Sequence, residues 1–473
     1  MQAQSLSVKR AQVEFHNFAS LGQFDRAVEA YARENERRGS LMRRHLAFVG
    51  EMTPFLEVGA NAGHSSYLLA NDFHAEGFAL DISADALRHG KSLMDEWHLS
   101  RAPIRVCGDA LNLPFRDASL RLVMTHQTLS QFMDIDAVFS EVRRVLAPGG
   151  VFFFSEEPIR RMLTLRLYRC PYYDTLKPWE KKLYDWGLLG FLVKDVIGAH
   201  QEESFGIRQN HRNGLKDWQR LIERHFEQKE YEIVIPQNGI AERWVRWIGR
   251  RIDRLGSDWI PARLLGGTLA AFAKKAGEAG PARPLEECLR CPDCHGDLER
   301  EAEECLLCAR CGYQAPNEGG VYNLLRSEER KELYPGDRDD LIDFSQPGHE
   351  RRLLEGWGEL EGVFGGKYRW ISDSPALARL LRVKPAARRL RIRGHAHETI
   401  FHAGGKPHVE VHVNGSLLKD FPLDRNGLFV LEADVPDASE YLVELRAGPR
   451  WQAPPDERWF TVNISMLRLI DRE

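Results

Sequence analysis

Residues 55–70 read FLEVGANAGHSSYLLA, and the fold turns on how this stretch is interpreted. The run 55–58 is short and apolar, the make-up of a buried strand. Gly59 and Gly63 come next, and glycine allows a sharp backbone turn and the close approach of a ligand with no side chain between. From 65 to 71 the pattern turns helical. Two glycines in a turn are common, so the assignment depends on what lies further along the chain.

Working outward, short apolar strand candidates occupy 77–80, 104–107, 120–125 and 151–155, with helical stretches 83–97 and 135–146 among them. Strands alternating with helices predict a parallel, doubly wound sheet. Pro148-Gly149-Gly150 is expected to be the turn that feeds the fifth strand. Asp81 closes the second strand, where an acid can accept both hydroxyls of a ribose. Ser83 is placed to cap the helix that follows. Gly108-Asp109-Ala110 closes the third strand, with Asp109 placed to accept from an adenine amino group. Such elements at successive strand C-termini mark the edge where open α/β sheets hold ligands.

These residues resemble the class I S-adenosylmethionine (SAM)-dependent methyltransferases, particularly the small-molecule branch that includes the ubiquinone and menaquinone enzymes. The family's acidic-Gly-x-Gly-x-Gly motif is matched by Glu57, Gly59 and Gly63, with Asn61 in place of the middle glycine. Asparagine tolerates left-handed backbone angles better than most residues. The resemblance implies a cofactor site made of Glu57, Gly59, Asn61, Gly63, Asp81, Ile82, Asp109 and Ala110, with Asp81 on the ribose and Asp109 on the adenine. Segments 113–117 (LPFRD) and 144–150 (RVLAPGG) match later signatures of the family. They do not belong to the NAD-binding Rossmann pattern, which is the competing reading of the glycine turn. The likeness is close over 46–157 and looser as far as 275.

Methyl transfer from a sulfonium is an in-line displacement, in which the protein aligns the partners and excludes water. An oxygen acceptor also needs a base. His126, ending the fourth strand candidate, is the catalytic candidate because imidazole titrates near neutrality; its alternative role is a hydrogen bond to cofactor or backbone. Glu156, with Glu157 beside it, is the second candidate, expected either to hold substrate or to cap a following helix. An aromatic, mostly helical insert over 160–226 is expected to cover this side of the sheet. Residues 231–235 read as a sixth strand, and 266–275 as a seventh strand or a short helix. Within 241–259, arginines mix with Trp244, Trp247, Ile248, Ile252 and Trp259. That pattern fits either an interfacial helix at the inner membrane surface or a helix packed on its own domain with a solvated basic side.

Six of the eight cysteines crowd between 288 and 311. Cys291-Pro-Asp-Cys294 and Cys308-Ala-Arg-Cys311-Gly form two short turns, each presenting two sulfurs, which is what tetrahedral zinc requires. The segment 291–325 resembles the zinc-ribbon modules attached to bacterial methyltransferases. With four thiolates and no position left for water, the Zn2+ is expected to be structural. Cys288 and Cys305 are competing ligands, and thiol redox chemistry is the alternative use of the pairs.

Beyond 340 the apolar pattern changes to period two, as in Leu390 and Ile392, Val409, Val411 and Val413, and Tyr441, Val443 and Leu445. Asn414-Gly415 and Asn426-Gly427 are hairpin signals. The stretch resembles β-sandwich modules of bacterial enzymes that handle surface polysaccharides, which implies glycan binding or substrate presentation.

The expected chain is therefore multidomain: an α/β Rossmann-like doubly wound sheet, a small zinc ribbon and an all-β sandwich. Its parts are a helical segment (1–49), a methyltransferase domain (50–280), the ribbon (286–326) and the sandwich (341–473), and 473 residues suffice for several cores. The expected function is SAM-dependent methylation of a small-molecule or glycan acceptor, at a hydroxyl. A non-catalytic scaffold or glycan-binding assembly protein, or a protein or tRNA methyltransferase, are the alternatives. A formal charge of −4 gives no reason to expect a nucleic-acid partner. The first residues lack a signal-peptide pattern and no apolar run approaches the ~20 residues of a membrane span, so a cytoplasmic protein is expected.

Overall fold

The computed structural model describes 24–132, 134–159, 213–234 and 267–471, less 279, 303–304, 337, 346–347, 363–366 and 372–374, together with Lys9, Gln12, Val13, Trp244, Trp247 and Ala262. The expected insert therefore lies outside the described residues up to 212, as does 241–259 apart from Trp244 and Trp247.

The chain divides into two compact units. The first begins, among the long described elements, with helix α1 (Phe24–Arg44) and alternates β1 (Phe55–Val58), α2 (His64–Asp72), β2 (Gly77–Asp81), α3 (Ala84–Glu96), β3 (Ile104–Cys107), β4 (Leu120–His126), α4 (Ile135–Val145) and β5 (Leu146–Ile159). Helix α5 (Leu215–His225) and strands β6 (Gln228–Val234) and β7 (Gly267–Lys274) complete the alternation. Strands β1 to β5 pair in parallel, while β7 lies antiparallel between β5 and β6. Within the segment 266–275, Gly267–Lys274 is thus a strand rather than a helix. Both faces of the sheet are covered, so its strands are apolar throughout rather than alternating. In β5, Phe152 and Phe154 pack on one side with Trp218, and Val151 and Phe153 on the other with Phe272. Local chemistry agrees with this placement. Ser83 caps α3 by accepting from Ala86 N at 3.2 Å, and Asp134 caps α4 by accepting from Ala137 N at 3.0 Å.

Pro148-Gly149-Gly150 departs from its expected role. It lies inside β5, where the register against β4 jumps from Leu120↔Leu146 to Leu122↔Val151. Gly149 sits at φ 73° and donates to the Lys275 carbonyl, so the glycine pair makes a bulge rather than a turn.

The cysteine-rich segment follows as β8 (Glu299–Ala302), β9 (Cys305–Leu307), β10 (Gln314–Glu318) and β11 (Val321–Asn323), ending in helix α6 (Ser327–Leu333). It does not stand apart in the first unit. Strand β11 pairs in parallel with β3, giving one sheet of order β6-β7-β5-β4-β1-β2-β3-β11-β10-β9-β8. Its apolar residues Leu289, Tyr313, Ala315 and Leu324 join the core that holds Val106, Leu113 and Phe115.

The second unit holds two antiparallel sheets. The larger comprises β13 (Trp357–Glu361), β14 (Tyr368–Ile371), β16 (Ala387–Ala396), β19 (Gly427–Asp434) and β21 (Asn463–Asp471), with β12 (Leu341–Asp343) also on β21. The smaller comprises β15 (Ala376–Leu381), β17 (His408–Val413), β18 (Ser416–Pro422) and β20 (Glu440–Gly448). Ile392, Ile464 and Leu467 of the first and Val411, Val443 and Leu445 of the second share one core. Asn414 and Gly415 take φ 52° and 80° in the β17–β18 hairpin. Asn426-Gly427 makes no such hairpin. It lies where the chain leaves β18 in the smaller sheet and enters β19 in the larger, and β19 pairs with β16 instead.

Candidate active site and cysteine centre

The loop after β1 turns through three left-handed residues: Gly59 (φ 71°), Asn61 (φ 52°) and Gly63 (φ 77°). Asn61 thus adopts the backbone that a middle glycine would give. At Gly59 a Cβ would lie 2.4 Å from Thr128 Cγ2, so the loop also touches the segment that follows β4. Glu57 is 2 % exposed and accepts from Ser66 N at 2.8 Å and Ser66 Oγ at 2.5 Å. It ties the first turn of α2 to β1, and burial pushes its carboxyl up to about 7. Asp81 is equally buried. Its two oxygens accept from Asn61 N and Ser83 N, both at 2.8 Å, which joins the end of β2 to the glycine loop, with half-buried Ile82 between. Asp109, after β3, accepts from Leu111 N at 3.0 Å and from Lys9 Nζ at 2.8 Å, beside buried Ala110. Burial opposes the charge of Lys9, yet Asp109 and Glu329 hold its ammonium above the ordinary value. All eight residues of the expected cofactor site gather at the C-terminal ends of adjacent strands β1, β2 and β3.

His126 ends β4 and is 6 % exposed. Its Nδ1 lies 2.7 Å from Ser155 Oγ, its ring meets Phe153 edge-on, and its Nε2 has no partner among the described residues. Burial first, then the charges of Arg38 and His64, hold its pKa well below the usual histidine range, so the imidazole is neutral. Glu156 takes the left-handed backbone (φ 64°), an uncommon conformation for a non-glycine residue. Its oxygens accept from Arg38 Nε at 3.3 Å and Nη2 at 2.7 Å. Among the described residues neither glutamate immediately precedes a helix, because β5 continues to Ile159. Fully buried Glu157 instead accepts from the backbone N–H groups of Thr128 (2.9 Å), Leu129 (2.8 Å) and Ser130 (3.1 Å), capping the short helical turn after β4. That leaves Glu157 a brace rather than a substrate ligand.

Sequence reasoning missed one face of α1. Tyr31, Glu34, Asn35 and Arg38 recur at helical spacing and meet the start of α2. Tyr31 stacks on His64 with ring centroids 4.3 Å apart, and Asn35 Nδ2 donates to the His64 carbonyl at 2.8 Å. Arg38, 5 % exposed, donates to Ser65 Oγ at 2.9 Å and reaches His64 Nε2 at 2.6 Å. Burial, reinforced by Glu34, pushes the Tyr31 hydroxyl up to about 12. The signal was the helical spacing itself.

The four expected cysteine ligands converge. Cys291 Sγ lies 3.6 Å from Cys311 Sγ, Cys294 Sγ lies 3.5 Å from Cys308 Sγ, and all four sulfurs fall within 4.8 Å of one another. Zinc at about 2.3 Å from each of four tetrahedral sulfurs sets them about 3.8 Å apart, so the set fits that ion. Each turn closes on a left-handed residue just past its second cysteine, His295 (φ 61°) and Gly312 (φ 72°). Cys288 and Cys305 lie outside the group; the Cys288 thiol contacts the Pro284 and Ser119 carbonyls.

Residues 56–154 match the family model described as a methyltransferase domain. A malonyl-[acyl-carrier protein] O-methyltransferase of Methylovorus sp. is 31% identical over 104 residues, 21% of this chain and 35% of that protein. Norajmaline N-methyltransferase of Rauvolfia serpentina is 25% identical over 128 residues, 27% of this chain and 41% of that protein. The chain thus spans less than half the length of these relatives. Among solved structures, phosphoethanolamine N-methyltransferase 2 of Haemonchus contortus overlaps 50% of this chain and 53% of its own, at 14% identity and a TM-score of 0.31. Residues 56–154 of the first unit thus carry a methyltransferase domain. No described helix is long and apolar enough to cross a membrane.

Proposed function

We propose that this protein is a SAM-dependent methyltransferase whose acceptor is an oxygen, a hydroxyl of a glycan, glycolipid or related metabolite. The observation that carries the reading is the convergence of Asp81 and Asp109 with the left-handed loop Gly59–Asn61–Gly63 at one edge of the sheet. Asp81 would hold the ribose hydroxyls and Asp109 the adenine amino group, while the loop backbone lies along the rest of the cofactor. Bound SAM supplies an electrophilic methyl on a sulfonium. His126 is the base: in the tautomer whose Nδ1–H donates to Ser155 Oγ, the lone pair stands on Nε2 and can take the acceptor's proton. Glu156, held by Arg38, forms a polar wall beside it.

The four inner cysteines would hold a structural zinc ion, making the segment 286–326 a zinc ribbon, and the two C-terminal sheets would form a β-sandwich that presents substrate. Trp244 and Trp247 are 61% and 49% exposed, which supports 241–259 as a contact with the inner membrane surface of a cytoplasmic enzyme. Calorimetric titration with SAM tests the core of the reading: wild type binds, and Asp81→Ala loses at least tenfold in affinity, the scale of a removed pair of charge-assisted hydrogen bonds (roughly 1.4 kcal/mol or more). Mass spectrometry of glycans and lipids from cells with and without the protein should then show a methyl-sized difference. A zinc-loaded protein that fails to bind SAM would sink the proposal.

A further inference from the structure

Both residues between Cys291 and Cys294 reach toward Asp109. Pro292 does so through its carbonyl, which accepts from Asn112 Nδ2 at 3.2 Å. Asn112 closes a tight turn on Asp109, donating its N–H to the Asp109 carbonyl at 3.1 Å. Asp293 takes a longer route. Its carboxylate accepts from Ser327 N at 2.9 Å and Ser327 Oγ at 2.5 Å, which fixes the start of α6. Helix α6 carries Glu329, which accepts from Lys9 Nζ at 2.5 Å, and Lys9 donates in turn to Asp109 Oδ2. Lys9 and Asp109 are 8 % and 6 % exposed, so salt screens this pair little. Between the two routes, Arg290 N donates to the Pro114 carbonyl, Arg116 N to that of Cys288 and Leu324 N to that of Cys107, binding 107–116 to the cysteine segment.

We propose that the cysteine metal site is the clasp that positions Asp109, so that metal occupancy and SAM affinity are linked. The inference rests on the reading of the cradle as a SAM site. A turn of four residues has no core of its own, and four sulfurs this close need an ion to hold them. Without it Pro292 and Asp293 are released, both routes slacken, and ordering Asp109 becomes a cost of binding the cofactor. Linkage is reciprocal, so SAM strengthens metal retention by the same factor.

The test uses the full chain. Titration with SAM should give an affinity at least about fivefold weaker after zinc is removed by chelation. In competition with a chromophoric chelator, saturating SAM should raise the apparent zinc affinity equally. Asn112→Ala and Asp293→Ala keep all four thiols. Both should retain one zinc per chain yet bind SAM several-fold more weakly, and they decide the matter if chelation unfolds the protein. Equal SAM affinity with and without zinc in folded protein, or full affinity in both variants, would overturn the clasp. Absence of SAM binding in zinc-loaded wild type is a different result, which would remove the cradle reading and this proposal with it.

Discussion

Glu57 illustrates how a motif position can serve its site without facing it. Its carboxyl is spent on Ser66, and burial raises its pKa to about 7 from the ordinary 4.5. Between those values the folded chain binds a proton that the unfolded chain has lost, so stability falls as pH rises from about 4.5 to about 7. Glu57→Gln removes that dependence while still offering an oxygen to Ser66. Relative to the variant, wild type should therefore lose on the order of 1–3 kcal/mol across this window, read from denaturant curves at several pH values. A parallel pH dependence in the two proteins would refute the assignment. Gly59 is governed by sterics instead. A valine there would collide with Thr128 and strain a left-handed backbone, so Gly59→Val should abolish SAM binding while zinc content stays at one per chain. SAM binding that survived the change would mean the cradle has been misplaced.

At the scale of elements, α1 and β5 are joined by Arg38, whose guanidinium faces Glu156 and Glu34 from a buried position. Among the described residues, Arg38→Met leaves Glu156 with only exposed Arg37 at 3.6 Å and Glu34 with only His64, and should cost roughly 2–4 kcal/mol in chemical denaturation, somewhat below a fully buried pair because Glu156 keeps 18% of its side-chain surface. Adding Glu156→Gln should recover part of the loss, a coupling that a double-mutant cycle measures. No recovery would show that Arg38 acts through His64 and Ser65 instead. Elements with a local signature were legible in the sequence: β1 to β4, the cap at Ser83, the Asn414-Gly415 hairpin and the two cysteine turns. What escaped was decided by distant partners. Pro148-Gly149-Gly150 looked like a turn, yet Gly149 bonds Lys275 and bulges within a strand. Glu157 looked free to meet substrate, yet three N–H groups after β4 claim it. The face of α1 carrying Glu34, Asn35 and Arg38 escaped because nothing in its composition reveals that α2 lies against it.

For the whole molecule, the two units keep separate cores, whereas the cysteine segment shares the core of the methyltransferase sheet. Calorimetry should therefore resolve two transitions, and zinc removal should lower the one that releases SAM while leaving the other in place. A shift of both together would mean that the units unfold as one. The pairing of β11 with β3 also bears on how the chain is made. Val321 pairs with Arg105, more than 200 positions earlier, so β3 is an open sheet edge until the ribosome has passed the cysteines. At bacterial-type elongation rates of about 5–20 residues per second, that interval lasts roughly 10–40 s. During synthesis the nascent sheet must keep its bare edge from pairing with a neighbouring chain until the strand that follows the cysteines arrives to cover it.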